Sequence, residues 1–339
     1  MIVRRLLLLI VVLLGISIVA FFLTHVIPGD PARLLAGPHA SASEVATVQR
    51  QYGLTGSLLT QYGHFLNNLM HGSLGISITT GQPVMQNLTT FLPATIELAL
   101  AAALVMVAAG VPMGLWSARR QGGIIDGFTR SVSILGAAMP IFWLGLIFQI
   151  IFFKDVRVLP VGGELSAAVA PPTHITGMYV ADSLLTGDWP ALGSSLRHLI
   201  LPAVTLASGG IAIVARMTRA AALDVLDSDY VRFGRSKGLS EFGVLTRHIW
   251  RNAMIPTLTV LGLQLGYILS GTVYTEMVFN WPGVGLYAEN AITNLDYPAI
   301  MGVTLTFAVI YVIVNLLVDI GYMLLDPRIR RNAGIGAVA

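Results

Sequence analysis

Six stretches of the chain are apolar at nearly every position for about 20 residues or more, the length needed to cross a bilayer as a helix. They lie near Leu6–Ile27, Ala94–Ser117, Ser131–Phe153, Leu199–Ala215, Met254–Thr275 and Ile300–Leu325. Their uniform apolarity predicts an all-α membrane protein with six transmembrane helices. Arg4 and Arg5 precede the first stretch as they would a signal peptide. The run is too long for one, however, and no small-x-small cleavage site follows it, so it reads as an uncleaved span. Between the fourth and fifth stretches lies the one long polar connection, Arg216 to Pro256. It carries two helical patterns separated by Lys237-Gly238-Leu239. Asp227, Ser228 and Asp229 supply N-cap chemistry for the first, and Gly238 suits a left-handed stop. Ser240 caps the second, which runs through Phe242, Leu245 and Ile249. The plain reading of this elbow is a solvated loop, and the sharper one is a docking helix for a partner.

The segment from Pro28 to Pro93 opens with Ile27-Pro28-Gly29-Asp30-Pro31, which cannot continue a helix. Within it, Ser57 caps an amphipathic pattern over Leu58, Leu59, Tyr62, Phe65, Leu66, Leu69 and Met70, stopped near Gly72. Gly81-Gln82-Pro83 then begins a further short helix toward Pro93. Lys154 to His198 is irregular by composition. The chain therefore divides into residues 1–93 (first span and outer loop), 94–325 (five-helix core with the polar region 216–256) and a tail, 326–339.

Composition agrees with this pattern. Hydrophobic residues are 55%, charged residues 11% and mean hydropathy is +0.76, too little charge to cover a soluble globule of 339 residues. The net charge of +3 matters less than its distribution. With the N-terminus cytoplasmic, only Arg33, Arg50, Lys154, Arg157 and Arg197 of the 20 Lys and Arg fall outside. That bias places both termini and the 216–256 elbow in the cytoplasm, with long outer loops. The chain is expected to sit in a membrane, with lipid as a partner and no nucleic acid. There is no cysteine, hence no disulfide or thiol chemistry.

Catalytic patterns are absent. No Gly-x4-Gly-Lys-Ser/Thr loop is present, so this chain alone is not expected to hydrolyse ATP. There is no His-Glu-x2-His, and no metal or cofactor is expected. His64 and His71 share a helical face, but a pair of interfacial histidines is the plain reading. Glu97, read as lying in the first turn after Pro93, suits the positive end of a helix. Asn315 and Asp319 share a face of the last span, where hydrogen bonding to a neighbouring helix is the ordinary role and a proton relay the other. Met139, Pro140 and Trp143, with Gln264 and Tyr267, are candidates to line a substrate path. Ordinary helix packing is their alternative.

Taken in order, further residues carry a resemblance. They are Ile27-Pro28-Gly29-Asp30-Pro31-Ala32, His71-Gly72-Ser73-Leu74-Gly75, Leu92-Pro93-Ala94-Thr95-Ile96-Glu97-Leu98 and Met139-Pro140-Ile141-Phe142-Trp143. Next come His198-Leu199-Ile200-Leu201-Pro202-Ala203, Asp229-Tyr230-Val231-Arg232, Arg235-Ser236-Lys237-Gly238-Leu239, Arg251-Asn252-Ala253-Met254-Ile255-Pro256 and Trp281-Pro282-Gly283-Val284-Gly285. In this order the chain resembles, almost end to end, the peptide/nickel permease subunits of ATP-binding-cassette importers.

The resemblance implies a non-catalytic subunit of the cytoplasmic (inner) membrane of a bacterium or archaeon that pairs with a second, homologous permease. Two ATPase subunits would bind ATP and Mg, an extracytoplasmic binding protein would deliver substrate, and dipeptides or oligopeptides would be the cargo. It also implies that the importer-permease coupling helix falls on Asp229, Tyr230, Arg232, Phe233, Gly234, Arg235, Lys237, Gly238 and Leu239. Gly234 fits the small-residue position four before Gly238, whereas Phe233 is larger than the usual residue there. His248-Ile249-Trp250-Arg251 replaces the usual ending. Nickel or glutathione import is the alternative within the family, and a proton-coupled secondary transporter the alternative from another class.

Overall fold

The computed structural model describes residues 11–22, 31–37, 39–51, 55–226, 228–244 and 250–325. Among them there is no strand, only an isolated antiparallel bridge between Ile76 and Pro83. The helices are α1 (Val11–Phe22), α2 (Pro31–Ala36), α3 (Ala42–Gln51), α4 (Leu58–Met70), α5 (Val84–Arg119), α6 (Ile124–Ala138) and α7 (Ile141–Phe148). A π-helical segment, Gln149–Asp155, continues α7. Then follow α8 (Tyr179–Thr186), α9 (Trp189–Leu226), α10 (Asp229–Ser236), α11 (Glu241–Val244), α12 (Trp250–Phe279), α13 (Val284–Thr293) and α14 (Tyr297–Leu325).

Four of these, α5, α9, α12 and α14, are long and apolar enough to cross a membrane. The bent pair formed by α6 and the α7–π segment makes a fifth if it counts as one span. α1 falls inside the first predicted span, whose remaining residues lie outside the described ones. The predicted third span, Ser131–Phe153, is not one straight helix. Its two halves meet at 113° across Met139-Pro140. The cause is local: Met139 (ψ 133°) and Pro140 (φ −60°, ψ 136°) both take extended backbone, as a residue before proline and a helix-entry proline do.

Other boundaries also move. No short helix ends at Pro93. α5 begins at Val84 and runs unbroken through Pro93 and Pro112. At 36 residues α5 is about 54 Å long, and at 38 residues α9 is about 57 Å. Both exceed the roughly 30 Å apolar layer, so their ends project beyond it.

The chain divides into two compact units, with boundaries inside α5 after Thr95 and inside α14 after Val312. In the first (residues 1–95 and 282–312), Val84 and Leu88 of α5 pack with Val284, Tyr287, Ala288 and Ala291 of α13 and Ala299 and Val303 of α14. Ser57 caps α4 as its spacing predicts, its hydroxyl accepting from the Thr60 amide at 3.3 Å, and Gly72 beyond the helix has φ +75°. α4 lays Tyr62 and Phe65 against Phe21, with ring centroids 5.2 and 6.0 Å away. Buried Asp296 accepts from the Ser77 hydroxyl (2.5 Å) and from the Thr79 (2.9 Å) and Ala299 (3.2 Å) amides, tying the 77–80 turn to the start of α14.

In the second unit (residues 96–281 and 313–339), α9 packs against α6, α7, α8 and α12. Small residues permit the close crossings, as in membrane interiors generally. A Cβ at Gly114 would fall 2.5 Å from the Ala215 carbonyl, one at Gly145 3.0 Å from Val278, and one at Gly271 2.8 Å from Leu206.

Candidate coupling site and substrate path

α10 is built as its sequence predicts at one end and differently at the other. Ser228 occupies the N-cap position, but its side chain does not cap. The hydroxyl turns back to donate to the Val225 carbonyl at 2.5 Å, while the Ser228 carbonyl accepts from the Val231 and Arg232 amides. Asp227, the other expected capping residue, lies outside the described residues. At the C-terminal end Gly238 takes the left-handed conformation, φ +81°. The Gly238 amide donates to Arg235 O (2.9 Å) and the Leu239 amide to Gly234 O (3.3 Å), the two bonds of a Schellman stop. Ser240 caps α11, accepting from the Gly243 amide at 3.2 Å. The predicted continuation through Leu245 and Ile249, including His248, lies outside the described residues.

The two faces of α10 differ sharply. Val231 is fully buried and Gly234 is buried beside it. Tyr230 and Phe233 are 45% and 60% exposed, on the same face as Lys237 at helical spacing. The Lys237 ammonium stands 4.4 Å from the centre of the Phe233 ring. Arg232 and Arg235 are exposed at the edges, and Leu239 is half-buried. Asp229 and Arg232 approach only to 4.0 Å in open solvent, a geometry that fixes neither side chain. The short helix thus presents two aromatic rings bordered by three cations, on a rigid stop.

The end of α9 nearest α10 is held by a buried ion pair that the sequence pattern does not reveal. Asp126, 1% exposed near the start of α6, accepts two bonds from Arg219 of α9 (2.6 and 3.1 Å). It also accepts from the Ser117 hydroxyl of α5 (2.5 Å), the Gly122 amide (3.0 Å) and Arg130 (2.7 Å). Every carboxylate lone pair is used, the condition under which a buried charge is tolerated. The i,i+4 spacing of Asp126 and Arg130 was the one local clue. The Arg219 partnership spans 93 residues.

Glu97 is not at the start of its own helix. It lies 13 residues into α5, and its Oε1 accepts from the Val180 amide in the first turn of α8 at 2.8 Å. A carboxylate at a helix N-terminus was the right chemistry on a different helix. Asp182 of α8 loses solvation by burial. Yet the Thr176 hydroxyl and the amides of Ile175, Thr176 and Gly177 more than offset this, holding its carboxyl below the usual range. Glu164 has no such help. Only 9% exposed, with Oε1 unbonded among the described residues, it is pushed up to about 8 by burial, with Glu97 and Glu276 adding repulsion. The Gly163 amide, bonded to Phe279 O at 2.8 Å, pins this loop to the end of α12.

The path candidates fall on two elements of the second unit. Met139, Pro140 and Trp143 form the joint between α6 and α7, and Trp143 is exposed. Gln264 and Tyr267 lie a turn apart on α12. Tyr267 is exposed, and the buried Gln264 Oε1 has no hydrogen-bond partner among the described residues. The two groups are brought near each other where Ile141, beside Pro140, lies against Gly271, one turn beyond Tyr267. Asn315 is half-buried on α14, and the side chain of Asp319 lies outside the described residues.

Several long apolar helices, with a short aromatic-faced helix between two of them, fit a multi-pass membrane protein. The chain belongs to the binding-protein-dependent transport system inner membrane components, whose main family matches residues 110–331 and whose N-terminal family matches residues 1–99. It is 44% identical to the probable D,D-dipeptide transport system permease protein DdpB of Escherichia coli K12, covering 96% of each chain. It is 42% identical to the dipeptide transport system permease protein DppB of Alkalihalophilus pseudofirmus, over 96% of this chain and 98% of the relative. It is 41% identical to the di/tripeptide transport system permease protein DppB of Pseudomonas aeruginosa, over 97% and 98%.

Proposed function

We propose that the chain is the permease subunit of a peptide importer, passing dipeptides or oligopeptides by alternating access together with a second, similar permease. It would cross the membrane six times with both termini inside, α6 and the α7–π segment making one broken crossing. ATP and Mg belong to two separate ATPase subunits, and a binding protein delivers substrate to the outer loops. The subunit itself performs no covalent chemistry.

One observation carries the coupling role: the exposed Tyr230–Phe233 face of α10, backed by buried Val231 and ended by the Gly238 stop. A short, rigid, aromatic-faced helix can seat in a partner's cleft and pass its movement along α9, whose adjoining end is clamped by Asp126 and Arg219. Arg232, Arg235 and Lys237 supply cations for carboxylates at the rim of that cleft. The peptide cargo is supported by the dipeptide permeases among its relatives, 37–44% identical over nearly the whole chain. Met139, Pro140, Trp143, Gln264 and Tyr267 are proposed to face the path. The bend at Pro140 and the Gln264 oxygen, which has no hydrogen-bond partner among the described residues, suit a wet route better than a dry helix contact.

The test is uptake in cells whose only peptide importer is this system. Labelled dipeptide should accumulate with ATP and the binding protein, and should not follow an imposed pH gradient. Accumulation of nickel or glutathione in place of peptide would move the cargo within the family. Uptake driven by protons without the ATPase subunits would refute the reading.

A further inference from the structure

A cavity of about 930 Å³ opens in the second unit between the end of the π-helical segment and the first turns of α9. Lys154, Arg157, Arg197 and His198 line it, with Phe153 and Trp189 among its apolar walls, and no carboxylate borders it. None of the three cations has an ion-pair partner among the described residues. Arg157 only reaches the Lys154 carbonyl, at 3.4 Å. The Nδ1 of His198 is 2.8 Å from the Ser194 carbonyl, which leaves Nε2 as its remaining polar atom. Of the five basic residues assigned to the outer side from sequence, three meet here.

The position says what kind of anion fits. Lys154 follows directly on exposed Phe153, with exposed Ile150 and Ile151 before it, and Arg157 stands three residues further on, past Asp155 and Val156. Arg197 sits between exposed Leu196 and Ile200 of α9, and Trp189, 68% exposed, stands at the rim. Cations and an indole at the point where two apolar helices leave the bilayer match the headgroup level. A soluble anion would need no apolar surface leading away from the cations, whereas a lipid has acyl chains to lay along it.

We infer that this cavity binds the phosphodiester headgroup of an anionic phospholipid, with Lys154, Arg157 and Arg197 as its charge partners. The inference rests on these helices spanning the membrane and not on the identity of the cargo.

The test uses the full chain in its assembled complex, placed in nanodiscs of phosphatidylcholine with a minor fraction of phosphatidylglycerol. Retained lipid is counted by native mass spectrometry. The wild-type complex should retain phosphatidylglycerol in preference to phosphatidylcholine. The triple variant Lys154→Gln, Arg157→Gln, Arg197→Gln should lose about a hundredfold of that preference, since each basic residue at an anionic surface contributes roughly fivefold. Arg197→Lys should keep it, and unfolding in pure phosphatidylcholine should be alike for all three proteins. Should the triple variant fail to fold, Arg157→Gln alone should still lower the preference by about fivefold.

Equal retention by wild type and variants overturns the proposal. So does full displacement by inorganic phosphate, which marks a soluble-anion site. Loss of binding-protein docking by the triple variant in pure phosphatidylcholine, with no lipid preference in the wild type, overturns it in favour of a protein contact.

Discussion

Replacing Gly238 isolates the geometry of the elbow from its packing. A Cβ built there meets nothing within 4 Å, so any cost is conformational rather than steric. The residue sits at φ +81°, where an L side chain costs about 1–2 kcal/mol, and more when β-branched. The alternative to paying that strain is to unwind the stop, breaking the Gly238–Arg235 (2.9 Å) and Leu239–Gly234 (3.3 Å) bonds and re-aiming Tyr230 and Phe233. At about 1.4 kcal/mol per tenfold, Gly238→Ala should lower the population of the intact elbow by about five- to thirtyfold, and Gly238→Val by more. Gly238→Asn, which tolerates the left-handed region, should be nearly silent. Peptide taken up per ATP hydrolysed, measured in proteoliposomes at matched complex abundance, should therefore fall in the order Asn, Ala, Val. A valine variant that transports like wild type, with the complex at normal abundance, refutes the coupling role of the elbow.

The remaining predictions concern the buried charges. Asp126→Asn leaves Arg219 without its counter-charge and should cost about 3–5 kcal/mol of stability. Arg130→Gln removes a partner that is 57% exposed and should cost about 0–1 kcal/mol, so near-equal unfolding shifts for the two would contradict the assigned hierarchy. Glu164 binds its proton more tightly folded than unfolded, with its folded pKa raised from 4.5 to about 8. The stability this contributes is full below about pH 4.5 and is lost as pH rises toward 8. Glu164→Gln should flatten that decline in a thermal-unfolding series, and an unchanged slope would show that the group is not buried as described.

Local signals were readable where the chemistry is local. Ser57, Gly72, Ser240 and Gly238 sit within four residues of the groups they bond, so spacing alone placed those caps and stops. The Met139-Pro140 break was visible as a proline but not as a bend of 113°, because apolarity continues across it. Pro93 misled in the opposite direction. One lost amide bond is small against a 36-residue helix, and α5 runs on. What periodicity could not carry were the long-range partners. Asp126 with Arg219 and Glu97 with Val180 join residues 93 and 83 apart, and neither leaves a repeating trace in the sequence. The exposed aromatic face of α10 was half-legible: the residues were in view, but which side Val231 and Gly234 would bury was decided by packing.

The chain has no cysteine, so a single introduced thiol reports one place only. A thiol-attached photo-crosslinker at Phe233→Cys on α10, compared with one at Thr186→Cys on α8, in membranes holding the whole complex, shows whether α10 is the element that meets the ATPase subunits. Adducts to the ATPase subunits are expected from position 233 and none from position 186. Adducts from 186 with none from 233 would contradict this expectation.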